Sequence, residues 1–353
     1  MDQDANNNEN DHATDSARDI IHELAEEGIQ RPALWKQAVP WLITAAILWY
    51  IFKDINFQDF LARLSGARMS ILLPAMFGYV IVFAMGDILS WGLCYRWFAT
   101  PDITNRELTH VRWGTYLFQA LYTPLHAVSL FAYMVRHKGS PIMWVLSAGG
   151  FAGLSDMLMV NLVMCVAISL NAIYGFAPEL EWWWLCVLLP SWPLLYAHFR
   201  YWFTDSRDKY LTRFSNHPLT RSAQLAKPPH YLKVYAVRLT VALAGILAHY
   251  LSLKAFMIEV PLPVVVVVAP LIIGGAFLPI SGGGFGGPQL VALILLPYAD
   301  GDEALLAAYS MSFSACFTLG RALIGAFFLP GYLRDLRVKV PRMTTDPITG
   351  ESL

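Results

Sequence analysis

Five ionisable side chains sit inside apolar stretches of this 353-residue chain: Asp87 in MGDILSWG, Asp156 in GLSDMLM, Arg321 in FTLGRALIG, and the histidines His126 and His249. At the centre of a membrane helix an Asp or Arg costs roughly 2.5–3.5 kcal/mol, so it persists where it is paired or lines a wet cavity. Arg321 paired with either aspartate would be a structural ion pair. Facing a cavity, the same groups would hold a polar headgroup or a proton. Each histidine, taken alone, reads as a hydrogen-bonded packing residue.

The run FLPISGGGFGGPQL, residues 277–290, sets five glycines (Gly282, Gly283, Gly284, Gly286 and Gly287) between Pro279 and Pro288. Proline interrupts a helix, and glycine opens backbone conformations closed to other residues. Two readings stay open. One is a tight cytoplasmic turn between two spans. The other is broken helix at membrane depth, tolerated only where protein buries it or it lines a cavity. A helix restarting after Pro288 would present unsatisfied N–H groups, able to hold an anionic group such as a phosphate. No Lys-Ser or Lys-Thr follows the glycines, as a nucleotide P-loop requires. A second interrupted segment, 113–134, contains Thr123-Pro124 and His126.

The sequence has no HExxH, no nucleophile elbow, no kinase signature and no paired metal-ligand spacing. Cys94, Cys165, Cys186 and Cys316 each lie in an apolar stretch and read as buried free thiols. No catalytic residue, metal or cofactor is assigned. The longest loop is about 35 residues, below the roughly 40 at which a domain folds without extra staples. Any catalysis would therefore be intramembrane.

These groups need helices long enough to place them in lipid. Hydrophobic residues make up 56% of the chain and charged residues 14%, against about 25% charged in an average soluble protein. That is too little charge to cover a soluble surface, and the net charge of −1 gives no basic excess for nucleic acid. The expected fold is all-α: a polytopic helical membrane protein with about eight transmembrane helices plus one or two re-entrant or broken segments. Apolar runs place spans at 36–52, 70–95, 141–173, 182–199, 234–256, 260–279, 281–298 and 304–330. The segment 113–134 would enter from the cytoplasm, turn near Pro124 and return.

Charge sets orientation. Residues 200–238 carry eight Lys or Arg, Arg238 among them, against two acids. The basic loop 200–233 and the segment 334–342 should face the cytoplasm, as should Arg136, His137 and Lys138, with Glu179 and Glu181 outside. Residues 1–30 hold nine acids and one base and show no signal-peptide pattern. The expected organisation is an acidic, largely disordered cytoplasmic tail (1–33), an integral membrane domain (34–333) and a cytoplasmic C-terminal tail (334–353). The Trp182-Trp183-Trp184 run reads as an interfacial aromatic belt.

At the glycine run the sequence resembles the lysylphosphatidylglycerol synthase transmembrane-region family, whose members are often called flippase-like. Its signature is a proline, a Gly-x-Gly-x-x-Glu turn, an apolar helix and a later helix containing Arg. Here Pro279, then Gly284-Phe-Gly286-Gly-Pro-Gln289, and Arg321 follow that order. Pro124 fits the family's proline-containing segment, and Asp156 fits an acidic position in the next span. Gln289 stands where the family has Glu, and Leu125, His126 and Ala127 replace glycines after the first proline. The resemblance spans about residues 36–330.

What it implies is a transporter moving a polar lipid, or a lipid-linked intermediate, between leaflets of the bacterial cytoplasmic (inner) membrane, with both termini cytoplasmic. No soluble aminoacyl-transfer domain is in this chain, so it should not make lysyl-lipid by itself. The expected substrate-binding residues are Gly282, Gly283, Gly284, Gly286, Gly287, Gln289, Arg321, Asp87, Pro124, His126 and Asp156. Membrane lipids are the expected ligands, with a lipid-biosynthesis enzyme as a candidate partner. Two other readings stay open: a membrane-embedded lipid-modifying transferase, using Asp87, Asp156 or His126 as base, and a non-catalytic subunit that recruits such an enzyme.

Overall fold

The computed structural model describes residues 55–121, 123–177, 191–203, 217–276 and 285–336, together with residues 42, 45, 49, 53 and 180. Among the described residues there is no strand. The helices are α1 (Phe57–Gly66), α2 (Met69–Phe98), α3 (Asn105–Gly114), α4 (Tyr116–Leu121), α5 (Thr123–Lys138), α6 (Ile142–Tyr174), α7 (Ser191–Phe203), α8 (Arg221–Leu225), α9 (Pro228–Ala255), α10 (Leu262–Gly275), α11 (Gly287–Ala292) and α12 (Glu303–Leu336). The 3-10 turns Pro218–Thr220 and Leu293–Ala299 precede α8 and extend α11.

Among the described residues four helices, α2, α6, α9 and α12, are long and apolar enough to cross a membrane. Local chemistry fixes several of their ends. Before α3, Thr104 and Glu107 form a reciprocal cap: Glu107 N–H donates to Thr104 Oγ1 at 3.2 Å and Thr104 N–H to Glu107 Oε2 at 2.8 Å. At its far end α6 stops at Gly175, whose φ of +62° favours glycine. Asp302 Oδ1 accepts from Leu305 N–H at 2.8 Å and starts α12.

The chain repeats one pattern. A long helix (α2), a broken pair (α4 with α5) and a long helix (α6) are followed by a long helix (α9), a broken pair (α10 with α11) and a long helix (α12). Two hydrophobic clusters show that the halves are inverted. One gathers Leu72, Ile168, Leu253 and Tyr309 around α10 and α11. The other gathers Tyr95, Val145, Val234 and Tyr332 around α3 and α5. Thus α2 and α12 run from the first cluster to the second, while α6 and α9 run back. Inverted repeats with broken helices are a recurring transporter design.

The first pair sits on the side of the second cluster, with Pro124 in the first turn of α5, where proline is tolerated, and with Lys138 at the end of α5 bonded back to Glu107 of α3. In the second pair α10 has 14 residues, and the return leg has six of α-helix and seven of 3-10. At about 1.5 and 2.0 Å per residue these legs are roughly 21 and 23 Å, short of the ~30 Å hydrocarbon core. Both pack within the first cluster. Over their described residues the expected spans 260–279 and 281–298 are thus the shorter apolar helices Leu262–Gly275 and Gly287–Ala299. The expected span 36–52 lies almost wholly outside the described residues, and of 182–199 only 191–199 is described.

Candidate functional site

Each long helix changes from one cluster to the other at a charged residue: Asp87 on α2, Asp156 on α6, Arg238 on α9 and Arg321 on α12. Together they form an ionic seam between the clusters. Asp87 is 2% exposed and accepts four hydrogen bonds. Arg112 donates from Nε at 2.7 Å and from a terminal nitrogen at 3.2 Å. Tyr116 OH donates at 2.8 Å and Arg238 at 3.1 Å. Arg112 and Tyr116 are four residues apart at the end of α3 and the start of α4, which puts both on the side facing α2. Arg112 also lies 3.8 Å over the Trp91 ring.

Arg238 joins the halves. It hydrogen-bonds Asp87 and its Nε forms an ion pair with Asp156. This corrects the reading of Arg238 as part of a cytoplasmic basic segment. Helix α9 begins at Pro228, so Arg238 lies three turns inside it and is 7% exposed. The structure also separates Arg321 from both aspartates. Its guanidinium lies 4.3 Å over Phe317 and 5.6 Å from the Phe83 ring, and its buried Nε has no hydrogen-bond partner among the described residues. It stays within electrostatic reach of Asp87 and Tyr116. Three arginines and two aspartates leave one positive charge in excess.

Beside the seam is an apolar cleft. Val160 and Val163 follow Asp156 at helical spacing, and Ala242 and Ile246 follow Arg238. With Pro270 and Ile273 of α10 they line a small cavity.

The glycine turn is described only in part. Gly282, Gly283 and Gly284 lie outside the described residues, as does Cys186. Gly286 has φ +92°, a conformation other residues resist. A Cβ on Gly275 would meet the Gly287 backbone at 3.0 Å, so the two legs touch through glycine. Gln289 is 2% exposed. Its carbonyl accepts from Gly286 N–H at 2.7 Å, and its amide donates to Ser314 Oγ at 2.9 Å and Ser310 C=O at 3.3 Å. These bonds bind the turn to α12.

Pro124 and His126 stand on α5, on the first pair, but their side chains lie outside the described set. His249 is a packing residue: Nδ1 is 2.7 Å from Tyr309 OH, and its ring stacks on Phe313 at 3.8 Å. Cys94 and Cys165 are buried free thiols, and Cys316 is half-buried. Sequence reasoning missed Arg112, Tyr116 and Arg238. The signal that could have found them is the demand of two buried aspartates for cations from neighbouring helices.

Outside the spans, Lys138 ties α5 to α3 through Glu107 at 2.8 Å and Asp102 at 3.3 Å. Partial burial pushes the Glu107 carboxyl up, but hydrogen bonds from Lys138 and Thr104 outweigh it and hold it below the usual carboxylate range. Burial pushes Lys138 down, and its bonds to Glu107 and Asp102 leave it raised.

A family model described as the lysylphosphatidylglycerol synthase TM region matches residues 37–325. No curated protein matches the chain. With most of its length covered, the chain belongs to the lysylphosphatidylglycerol synthase TM region family.

Proposed function

From that membership and from the seam, we propose that this helical membrane protein moves an anionic polar lipid, or a lipid-linked intermediate, between leaflets. The observation that carries the reading is Arg321, a cation at membrane depth with no carboxylate partner among the described residues. An ion cluster built only for stability would balance its charges, because an uncompensated buried charge is costly. An excess cation at membrane depth suits a ligand with a negative headgroup.

The headgroup must cross about 30 Å of hydrocarbon. Arg321 offsets its charge on the way, with Arg112 and Arg238 adding to the field. The broken pairs on opposite sides, with Pro124 and His126 on one of them, are the elements whose movement would open the seam to either leaflet. The basic loop 200–233 would lie at the cytoplasmic surface of a bacterial inner membrane, near anionic headgroups. A lipid-biosynthesis enzyme supplying the lipid is the partner this reading suggests.

The test is leaflet exchange in proteoliposomes with short-chain labelled phospholipids. Protein-dependent exchange that Arg321→Ala and Gly284→Leu abolish, with folding retained, is expected. Absence of exchange across several headgroups would contradict the proposal and favour the transferase or partner-subunit reading.

A further inference from the structure

Asp87 and Asp156 share Arg238 but are held very differently. Asp87 accepts four hydrogen bonds and its side chain is 3% exposed. Asp156 has the single ion pair to Arg238 Nε, and its side chain is 19% exposed. Hydrogen bonds to a carboxylate favour its charged form, and burial with few donors favours the neutral one. Of the two acids, Asp156 has the weaker support and the more exposed side chain.

We propose that Asp156 is an exchangeable proton site whose occupancy governs the affinity of the seam for an anionic phosphate group. A proton from solvent goes to an Asp156 carboxylate oxygen, and the ion pair with Arg238 Nε breaks. Arg238 keeps its bond to Asp87 and turns its freed face to the anion, alongside Arg321. The seam then carries a second excess positive charge, so proton and anion bind together. This rests on the reading of the seam as an anion site.

The groups that face Asp156 are consistent with this. Arg238 comes from α9, Asp87 from α2 and Arg112 from α3, and the Cys94 thiol from α2 is also within reach. Helix α10, packed on the same span, has no ionisable residue. Helices α5 and α8 meet α6 nearer its start, through Phe131 at Gly149 and Ser222 at Ser147. There Arg221 lies 3.9 Å over Trp144. Arg238 is thus the cation that Asp156 holds directly.

The experiment uses the full chain in nanodiscs. Infrared spectra recorded across pH should show the carbonyl stretch of a protonated carboxylic acid appearing as pH falls. Asp156→Asn should remove that band, and Asp156→Glu should move it. In parallel, thermal shifts with inorganic phosphate and with a short-chain phosphatidylglycerol should report affinity rising up to about tenfold per pH unit on acidification, the limit for one linked proton. Asp156→Asn should make that affinity independent of pH. The short-chain lipid binding while free phosphate does not would identify the headgroup as the source of the phosphate, and the reverse would identify the free ion. No titrating band, or one that survives Asp156→Asn, would overturn the proton site. A band at Asp156 with pH-independent affinity would overturn the coupling. A band with neither anion bound at any pH would remove the anion reading while leaving the proton site standing.

Discussion

The first broken pair, Tyr116–Leu121 with Thr123–Lys138, brings a charge-bearing segment to the centre of the molecule; the second, Leu262–Gly275 with Gly287–Ala292, brings none. Tyr116 opens the first pair and Arg112 lies just ahead of it, both bonded to Asp87. The second is apolar except at Gln289, whose polar atoms are taken up by Gly286, Ser310 and Ser314. The long helices divide in the same way. Those of the first half carry the two buried acids, and those of the second carry Arg238 and Arg321. The halves match in element order and are complementary in charge, so neither is electrostatically complete without the other.

Breaking the seam should have the largest effect. Asp87→Ala leaves Arg112 and Arg238 buried without their shared anion, and should cost about 3–5 kcal/mol, read as a fall in thermal unfolding midpoint in detergent. Arg238→Gln should cost less, because Asp87 keeps its bonds from Arg112 and Tyr116. No loss at all on Arg238→Gln would mean that the halves are not coupled through this pair.

The contacts between each broken pair and the other half should come next. A methyl on Gly325 would run into the backbone nitrogen of Leu117, whereas one on Gly274 would meet the Met164 side chain. Backbone cannot yield as a thioether can. Gly325→Ala should therefore cost on the order of 3 kcal/mol and Gly274→Ala under about 1 kcal/mol, measured by the same melts. Equal costs would show that the two pairs are held alike.

Gln289→Glu probes the bonds that hold the glycine turn to α12. The carboxylate still accepts from Gly286 N–H but cannot donate to the Ser310 carbonyl, at a cost of roughly 1–2 kcal/mol. Unchanged stability would show that the amide bonds do not hold this turn.

The smallest effect is at the edge of the first pair. Glu107 titrates below its usual value in the folded protein, so its contribution is full above the unfolded carboxylate pKa, near pH 4–5, and is lost as pH falls through the folded value. Lys138 is raised, so its contribution is full below its unfolded pKa and is lost as pH rises through the folded one. Glu107→Gln should remove the acid-side dependence, worth at most about 1 kcal/mol for a pair whose carboxylate is partly open to solvent, as seen in melts at pH 4 and pH 7. No change in that dependence would place the bond outside the folded-state balance.

Much of this was legible in sequence, and for physical reasons. Buried charge is rare in apolar helices, so Asp87, Asp156 and Arg321 stood out. Proline and glycine mark broken helix, so Pro124 and the run at Gly286 did too. Partner choice was not legible. Arg238 counts with the basic segment 200–238 in sequence although the expected span begins at 234, and Pro228 starts the helix, which puts Arg238 three turns inside it. Arg112 sits in a polar stretch whose burial comes wholly from packing against α2 and α12. Hydropathy does not distinguish a crossing helix from a re-entrant leg, so the apolar run 260–299 does not by itself give a number of crossings.

The central claim is that the excess cation of the seam handles an anionic headgroup, and headgroup preference tests it most directly. Leaflet exchange of short-chain labelled phosphatidylglycerol should exceed that of the matching phosphatidylcholine in proteoliposomes. Arg321→Gln should abolish that preference while Arg321→Lys retains part of it. Equal exchange of both lipids in the wild type, or a preference that survives Arg321→Gln, would contradict the account.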